Sequence, residues 1–214
     1  MPRKKRASPG RPRWVYTARM IPSRVPFTAA LLAGGKSTRM GRDKAALPIG
    51  GVPLWTRQLT TLRALAPDEL LISGPASGPW VGEGVPTIAD AYPDAGPLGG
   101  LATVLARMKC ERLLVLAVDL PAMTPEYLRG LLARCAPDHG RVPVLDDRFE
   151  PLVAIYPRAM AAVAAQQLAA GERSLQSFVR AGIEAGWLEV CPVAETDRAL
   201  FHNVNTPADL AGGW

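Results

Sequence analysis

From residue 27 onward the chain alternates short apolar, β-rich runs with stretches in which apolar positions recur every three or four residues. The short runs predict strands at Phe27 to Ala33, Glu69 to Ser73, Val85 to Ala89, Arg112 to Val118, Pro151 to Tyr156 and Trp187 to Val193. Helical segments fall between them. Pro53 to Leu65 is one, and Leu98 to Met108 is another, with Leu98, Leu101, Leu105 and Met108 spaced to line a single face. Thr124-Pro125-Glu126 and Thr206-Pro207-Ala208-Asp209 each offer a hydroxyl cap, a proline at the first helical position and an early acid, so helices are expected to begin there. Strands alternating with helices in this way predict an α/β fold, a single three-layer domain with a mostly parallel, Rossmann-like sheet. No internal repeat appears and no linker divides the body, so residues 27–214 are expected to form one domain.

Composition adds exclusions. With 48% hydrophobic and 21% charged residues among 214, the chain matches neither a disordered protein nor a fibre. Its uninterrupted apolar runs, such as AALLA at 29–33 and LLVLAV at 113–118, fall far short of the ~20 residues that cross a bilayer, so a soluble protein is expected. A formal charge of +6 first suggests a nucleic-acid partner, but its location changes that reading. Eight basic residues (Arg3, Lys4, Lys5, Arg6, Arg11, Arg13, Arg19, Arg24) and no acid lie in residues 1–26, leaving a slightly acidic body of 17 basic against 19 acidic residues. Pro2, Pro9, Pro12, Pro22 and Pro26 break helix in the same stretch, which has no apolar segment of the secretory kind. Residues 1–26 are expected to be a disordered basic tail: a solvated extension, or sequence upstream of a start at Met20, with a targeting or nucleic-acid arm as the competing reading. Cys110, Cys135 and Cys191 are odd in number and carry no CxxC, which favours a reducing cytoplasm. His139 and His202 are the only histidines, which argues against a histidine-rich zinc site.

The chemistry concentrates at predicted strand ends. Leu31 to Lys44, LLAGGKSTRMGRDK, follows an apolar strand and is expected at the carboxyl edge of the sheet, where α/β folds bind ligands. Gly34 and Gly35 let backbone approach a ligand and let amides point at phosphate oxygens, while Lys36, Arg39, Arg42 and Lys44 add positive charge. A Walker A loop is excluded, because GxxxxGK[ST] needs glycine at position 30, where Ala30 stands inside the strand. Asp119 ends the run LLVLAV, where its carboxylate can meet a hydrated Mg²⁺ that completes its shell with substrate phosphates; capping of the next turn is the alternative role. Asp90 opens the glycine- and proline-rich loop AYPDAGPLGG, with Asp94 as a weaker competitor.

LAGGKSTRMGRDK resembles the signature of the MobA-type nucleotidyltransferases, the molybdenum cofactor guanylyltransferases, and further pieces follow in order: PLW at 53–55, Asp90 ahead of GPLGG at 96–100, Asp119-Leu120-Pro121, FEPLVAIY at 149–156, GERSL at 171–175 and NVNTPADL at 203–210. The basic tail has no counterpart in the family core. The resemblance implies a fold of the nucleotidyltransferase type. It also implies that Leu32, Ala33, Gly34 and Gly35 contact guanine nucleotide, that Lys44 binds phosphates with Arg39 assisting catalysis, and that Asp90 and Ser73 are further nucleotide contacts. Ser73 stands where the family often has Asn, so a plain strand-end serine remains the alternative. Asp119 would be the Mg²⁺ ligand, and Asn203 and Asn205 would complete the metal or pterin-phosphate site or else serve local turns.

No Ser-His-Asp or Cys-His arrangement is evident, which points to a reaction needing no strong base. A phosphate monoester attacking a nucleoside triphosphate qualifies, because its second pKa of ~6 leaves it largely ionised. The resemblance supplies GTP and molybdopterin as substrates, Mg²⁺ as cofactor, and transient contact with cofactor-delivery proteins or molybdoenzyme acceptors; no membrane or nucleic-acid partner is expected. The rival readings are a cytidylyltransferase on the same pterin, a sugar-1-phosphate nucleotidyltransferase, and a non-catalytic nucleotide-binding protein.

Overall fold

Side-chain alternation along the strands decides the layering. In the computed structural model, which describes residues 25–34 and 44–204, β1 spans Thr28–Leu32 and all five residues are buried. Ala29 and Leu31 enter one core while Ala30 and Leu32 enter another on the opposite face. β6 (Arg112–Ala117) divides in the same way, with Leu114 and Leu116 on one side and Leu113 and Val115 on the other. Strands buried on both faces need helices on both, which is why these runs read as continuously apolar.

The remaining strands are β2 (Pro48–Ile49), β3 (Val52–Pro53), β4 (Glu69–Ser73), β5 (Thr87–Ile88), β7 (Gly140–Leu145), β8 (Arg148–Phe149), β9 (Val153–Pro157) and β10 (Leu188–Pro192). The main sheet runs β10-β7-β9-β6-β1-β4-β5, with β8 paired to β7. β9 runs antiparallel to both β6 and β7, and the β1–β4, β1–β6, β4–β5 and β7–β10 pairs are parallel. Helices α1 (Leu54–Arg63) and α3 (Pro125–Ala133) cover one face. The other face carries α2 (Pro97–Arg107), α4 (Met160–Ala169) and α5 (Leu175–Glu184). The expected mostly parallel, three-layer domain is therefore present.

Several local expectations hold in detail. Leu98, Leu101, Leu105 and Met108 are all buried in one core. The Thr124 side chain accepts from the Tyr127 N–H at 3.3 Å and caps α3, with Pro125 at its first position. The helix start expected at Thr206 lies outside the described residues. Strand ends are shorter than expected at Val85 to Ala89, of which only Thr87–Ile88 pairs, because β5 is an edge strand with a single neighbour.

Four strands were not expected from the sequence. β7 begins with glycine and contains Pro143, both strand-weakening residues, yet it is held between β9 and β10. β8 turns back on it through Asp146 and Asp147, which both have positive φ. β2 and β3 form a two-residue hairpin through Gly50 and Gly51 at φ 57° and 80°, backbone that favours glycine. At the opposite edge from the strand ends that matter below, the buried Arg112 donates to the carbonyls of Cys135 at 2.6 Å and Ala136 at 3.0 Å, fastening the segment after α3 to the start of β6. All three cysteines carry free thiols, and burial pushes those of Cys135 and Cys191 up.

Candidate active site

β1 lies between β4 and β6, which the chain reaches on opposite sides, so the carboxyl end of β1 is a topological switch point where a crevice opens. Four candidate segments converge there. The N–H groups of Ala33 and Gly34 both donate to the Ser73 carbonyl, at 2.9 and 3.0 Å, continuing the parallel pairing one step past the strands. Val118 N–H donates to the Leu32 carbonyl at 3.1 Å, which brings the Asp119 turn beside the same loop. This corrects one expectation: the Gly34 amide is already engaged by Ser73 and is not one of the groups left to face phosphate. Gly34 instead permits close approach, since a Cβ there would lie 3.4 Å from the Gly74 Cα. Gly35, Lys36, Arg39 and Arg42 lie outside the described residues.

Lys44 and Asp119, 75 residues apart, meet directly. Lys44 Nζ donates to Asp119 Oδ2 at 2.9 Å, with side chains 17% and 26% exposed. Lys44 opens a 3-10 turn, Lys44–Ala46, whose buried Ala45 anchors it against the core shared with α1. Asp119 is held by its own backbone, its carbonyl accepting from Val204 N–H at 2.9 Å, while the buried Gln58 of α1 donates to the next carbonyl, that of Leu120. The first of these bonds brings the exposed Asn203 next to the Asp119 segment; Asn205 lies outside the described residues.

Asp90 sits on the other flank. Its Oδ1 accepts from Tyr92 N–H at 2.8 Å and lies 3.2 Å from the Thr103 hydroxyl, which itself accepts from Ala91 N–H at 3.0 Å and lies 2.8 Å from the Gly99 carbonyl. The start of α2 presses on this carboxylate: a Cβ at Gly99 would stand 2.9 Å from both Asp90 Oδ2 and the Tyr92 carbonyl. Ser73 is buried beneath, its hydroxyl 2.9 Å from where a Gly100 Cβ would lie. Gly99→Ala is therefore expected to displace Asp90 and its loop and to raise the KM for nucleotide about ten-fold, with kcat changed much less. Steady-state kinetics with varied nucleotide check this, and an unchanged KM would remove Asp90 from the binding surface. Asp94, with positive φ, is instead tied through its carbonyl, which accepts from Arg173 of the GERSL segment at 2.9 Å.

Glu150 is the group sequence reasoning passed over. It was visible only as part of FEPLVAIY, with no spacing to mark it. Burial pushes its carboxyl up, Arg148 pulls the other way, and the Asp119 charge adds to the rise, so the two carboxylates share one electrostatic environment. The topology accounts for this: β9 is antiparallel to β6, so the residues entering β9 arrive where β6 ends. Among the described residues, no cluster of three or more His, Cys, Asp or Glu side chains is built to hold a metal. One fixed, partly exposed carboxylate fits Mg²⁺, which takes few carboxylates and draws the rest of its shell from water and substrate phosphates.

A three-layer α/β domain that gathers a glycine loop, a lysine and separate aspartates at the switch point of its sheet has the architecture of the nucleotidyltransferases. Its sequence agrees: the chain belongs to the MobA-like NTP transferase domain family, whose model matches residues 29–186. A probable molybdenum cofactor guanylyltransferase of Opitutus terrae is 38% identical over 86% of this chain and 92% of its own length. The molybdenum cofactor guanylyltransferase of Xanthomonas euvesicatoria is 37% identical over 85% of this chain and 91% of its own. In fold, the chain is similar to molybdopterin-guanine dinucleotide biosynthesis protein A from Archaeoglobus fulgidus, with a TM-score of 0.64, 24% identity, and coverage of 86% of this chain and 94% of that one.

Proposed function

We propose that the protein transfers GMP from GTP to the terminal phosphate of molybdopterin in the cytoplasm, releasing pyrophosphate and yielding the guanine dinucleotide form of the cofactor. The observation that carries this reading is the Lys44–Asp119 pair, set beside the Leu32–Gly34 loop at the switch point of the sheet. Relatives bearing the guanylyltransferase name along most of the chain supply the substrates. Among the described residues no helix is long and apolar enough to cross a membrane.

In this reading the acceptor's phosphate oxygen attacks the α-phosphorus of GTP, and the bond to the bridging oxygen of the β-phosphate breaks. The nucleophile is already largely ionised at neutral pH, given its pKa of ~6, so no side chain has to act as a strong base. Catalysis then rests on positioning and charge neutralisation. Lys44 takes the triphosphate, assisted by Arg39, and Asp119 would hold Mg²⁺, which when bound would supply neutralisation of the phosphate oxygens. Asp90, Leu32, Ala33, Gly34, Gly35 and Ser73 form the nucleotide side of the site.

Base selectivity tests the reading most sharply. A close-fitting loop that satisfies the O6 acceptor and the N1 and N2 donors of guanine leaves buried groups unpaired with any other base, at roughly 1 to 3 kcal/mol each. GTP is therefore expected to be used at least about ten-fold more efficiently than CTP or ATP, which requires only ~1.4 kcal/mol. Competitive kcat/KM measurements with molybdopterin as acceptor decide it; preference for CTP would move the protein to the cytidylyl branch. The basic tail stands outside this chemistry, because β1 begins at Thr28, so deletion of residues 1–19 is expected to leave transfer unaltered. Lost transfer in that truncation would refute the separation.

A further inference from the structure

The geometry points to Lys44 as the resident counter-cation of Asp119: in the ligand-free enzyme its ammonium holds the place a divalent ion needs, and the triphosphate must draw it away before metal binds well. Nucleotide thus admits metal. The inference rests on the roles given to Lys44 and Asp119 under Proposed function, and it concerns the order in which the ligands can occupy them.

Three features carry it. The Nζ to Oδ2 distance of 2.9 Å is a direct charge-assisted contact, and both side chains are only partly exposed, so water screens the pair less than it would on an open surface. One partner is fixed and the other can move. Asp119 follows a buried strand and is pinned by Val118 N–H to Leu32, by Val204 N–H to its own carbonyl and by Gln58 to Leu120. Lys44 is held at its backbone, where its carbonyl accepts from Leu47 N–H at 3.2 Å, and its ammonium rides on a flexible four-carbon stem that can swing without moving the fold. The third feature is the half-buried Glu150, whose carboxyl is affected by the Asp119 charge. With Lys44 withdrawn, the negative charges of Asp119 and Glu150 act together at this end of the β6–β9 ladder, which favours a cation.

An ammonium and a metal ion cannot share one carboxylate without strong repulsion, so their occupancies compete. A triphosphate relieves the competition from both sides, offering Lys44 a more highly charged acceptor and offering the metal oxygens of its own. Coupling of this kind is reciprocal: whatever factor nucleotide adds to metal affinity, metal adds to nucleotide affinity.

The test is Mn²⁺ binding without nucleotide, read from the electron paramagnetic resonance signal of free Mn²⁺. Wild type should bind weakly. Lys44→Met, which keeps the stem and deletes the charge, should bind Mn²⁺ alone about ten-fold more tightly even though it binds GTP less well, a difference of ~1.4 kcal/mol. Lys44→Gln serves as a second neutral variant, and unchanged melting temperatures certify both. Lys44→Arg keeps a cation and should restore weak binding, while Asp119→Asn combined with Lys44→Met should erase the gain. Mn²⁺ affinity in both neutral variants no higher than in wild type would overturn the inference. GTP binding in Asp119→Asn separates the two levels. If Mn²⁺ no longer strengthens it while the neutral variants show no gain, only the counter-cation role fails. If Mn²⁺ strengthens it as in wild type, Asp119 is not the metal group and the underlying reading fails with the inference.

Discussion

Asp119→Asn is expected to lower Mg²⁺-dependent guanylyl transfer about a thousandfold, roughly 4 kcal/mol of transition-state stabilisation. The amide keeps the size and shape of the side chain and removes the charge that would hold the metal, so charge building on the leaving pyrophosphate goes unneutralised. Folding should survive. The bonds that fix this turn, from Val204 N–H and from Gln58, use backbone carbonyls that the substitution leaves in place. What the fold loses is the partly exposed pair with Lys44, and pairs in such surroundings typically contribute only about 0 to 1 kcal/mol. Pyrophosphate release measured with GTP, Mg²⁺ and molybdopterin, alongside the melting temperature, checks both halves. Turnover at the wild-type rate would sink the assignment of Asp119.

The largest expected effect on stability lies far from that edge. Gly140 opens β7, and a Cβ there would stand 2.3 Å from the Ile155 carbonyl oxygen, 2.5 Å from Leu188 Cδ2 and 2.9 Å from Pro157 Cδ. A leucine methyl can turn aside, but the Ile155 oxygen belongs to β9, whose backbone is fixed by its ladder with β6. Gly140→Ala must therefore shift strands, at a cost of about 3 kcal/mol. For a chain of this size that lowers the melting temperature by roughly 6 to 12 °C. Because β7 begins at the amino edge of the sheet, the kcat of the folded enzyme should be unchanged at low temperature. Calorimetry decides: a shift under about 2 °C would show that the three strands repack freely.

Residues that carry a local pattern were legible in advance. The strands at 28–32 and 112–117 are buried, mostly apolar runs, the strand at 69–73 is a shorter apolar stretch buried over its second half, and the α2 face repeats at helical spacing whatever surrounds it. The segment after the first strand and Asp119 after the strand at 112–117 could be placed at the carboxyl edge of a parallel sheet by topology, so Leu32, Gly34 and Asp119 could be named as neighbours before any contact was seen, whereas Ser73 was named through the family resemblance. Thr124 announced a helix start because capping is a bond between residues three apart.

Tertiary structure decided what has no local signature. β7 reads as a poor strand, with glycine first and proline inside, and it exists because β9 and β10 flank it. Gly34 looked like a phosphate-facing amide until the parallel register of β1 with β4 engaged it with Ser73. Glu150 gained its place beside Asp119 only through the antiparallel return of β9. The sequence by itself determined the layered α/β domain, the family signature and the candidate residues, since these depend on periodicity and short motifs within one segment. Only the folded chain decided that Lys44 meets Asp119 across 75 positions, and that Thr103 and Gly99 confine Asp90, because such contacts depend on how strands are ordered in space.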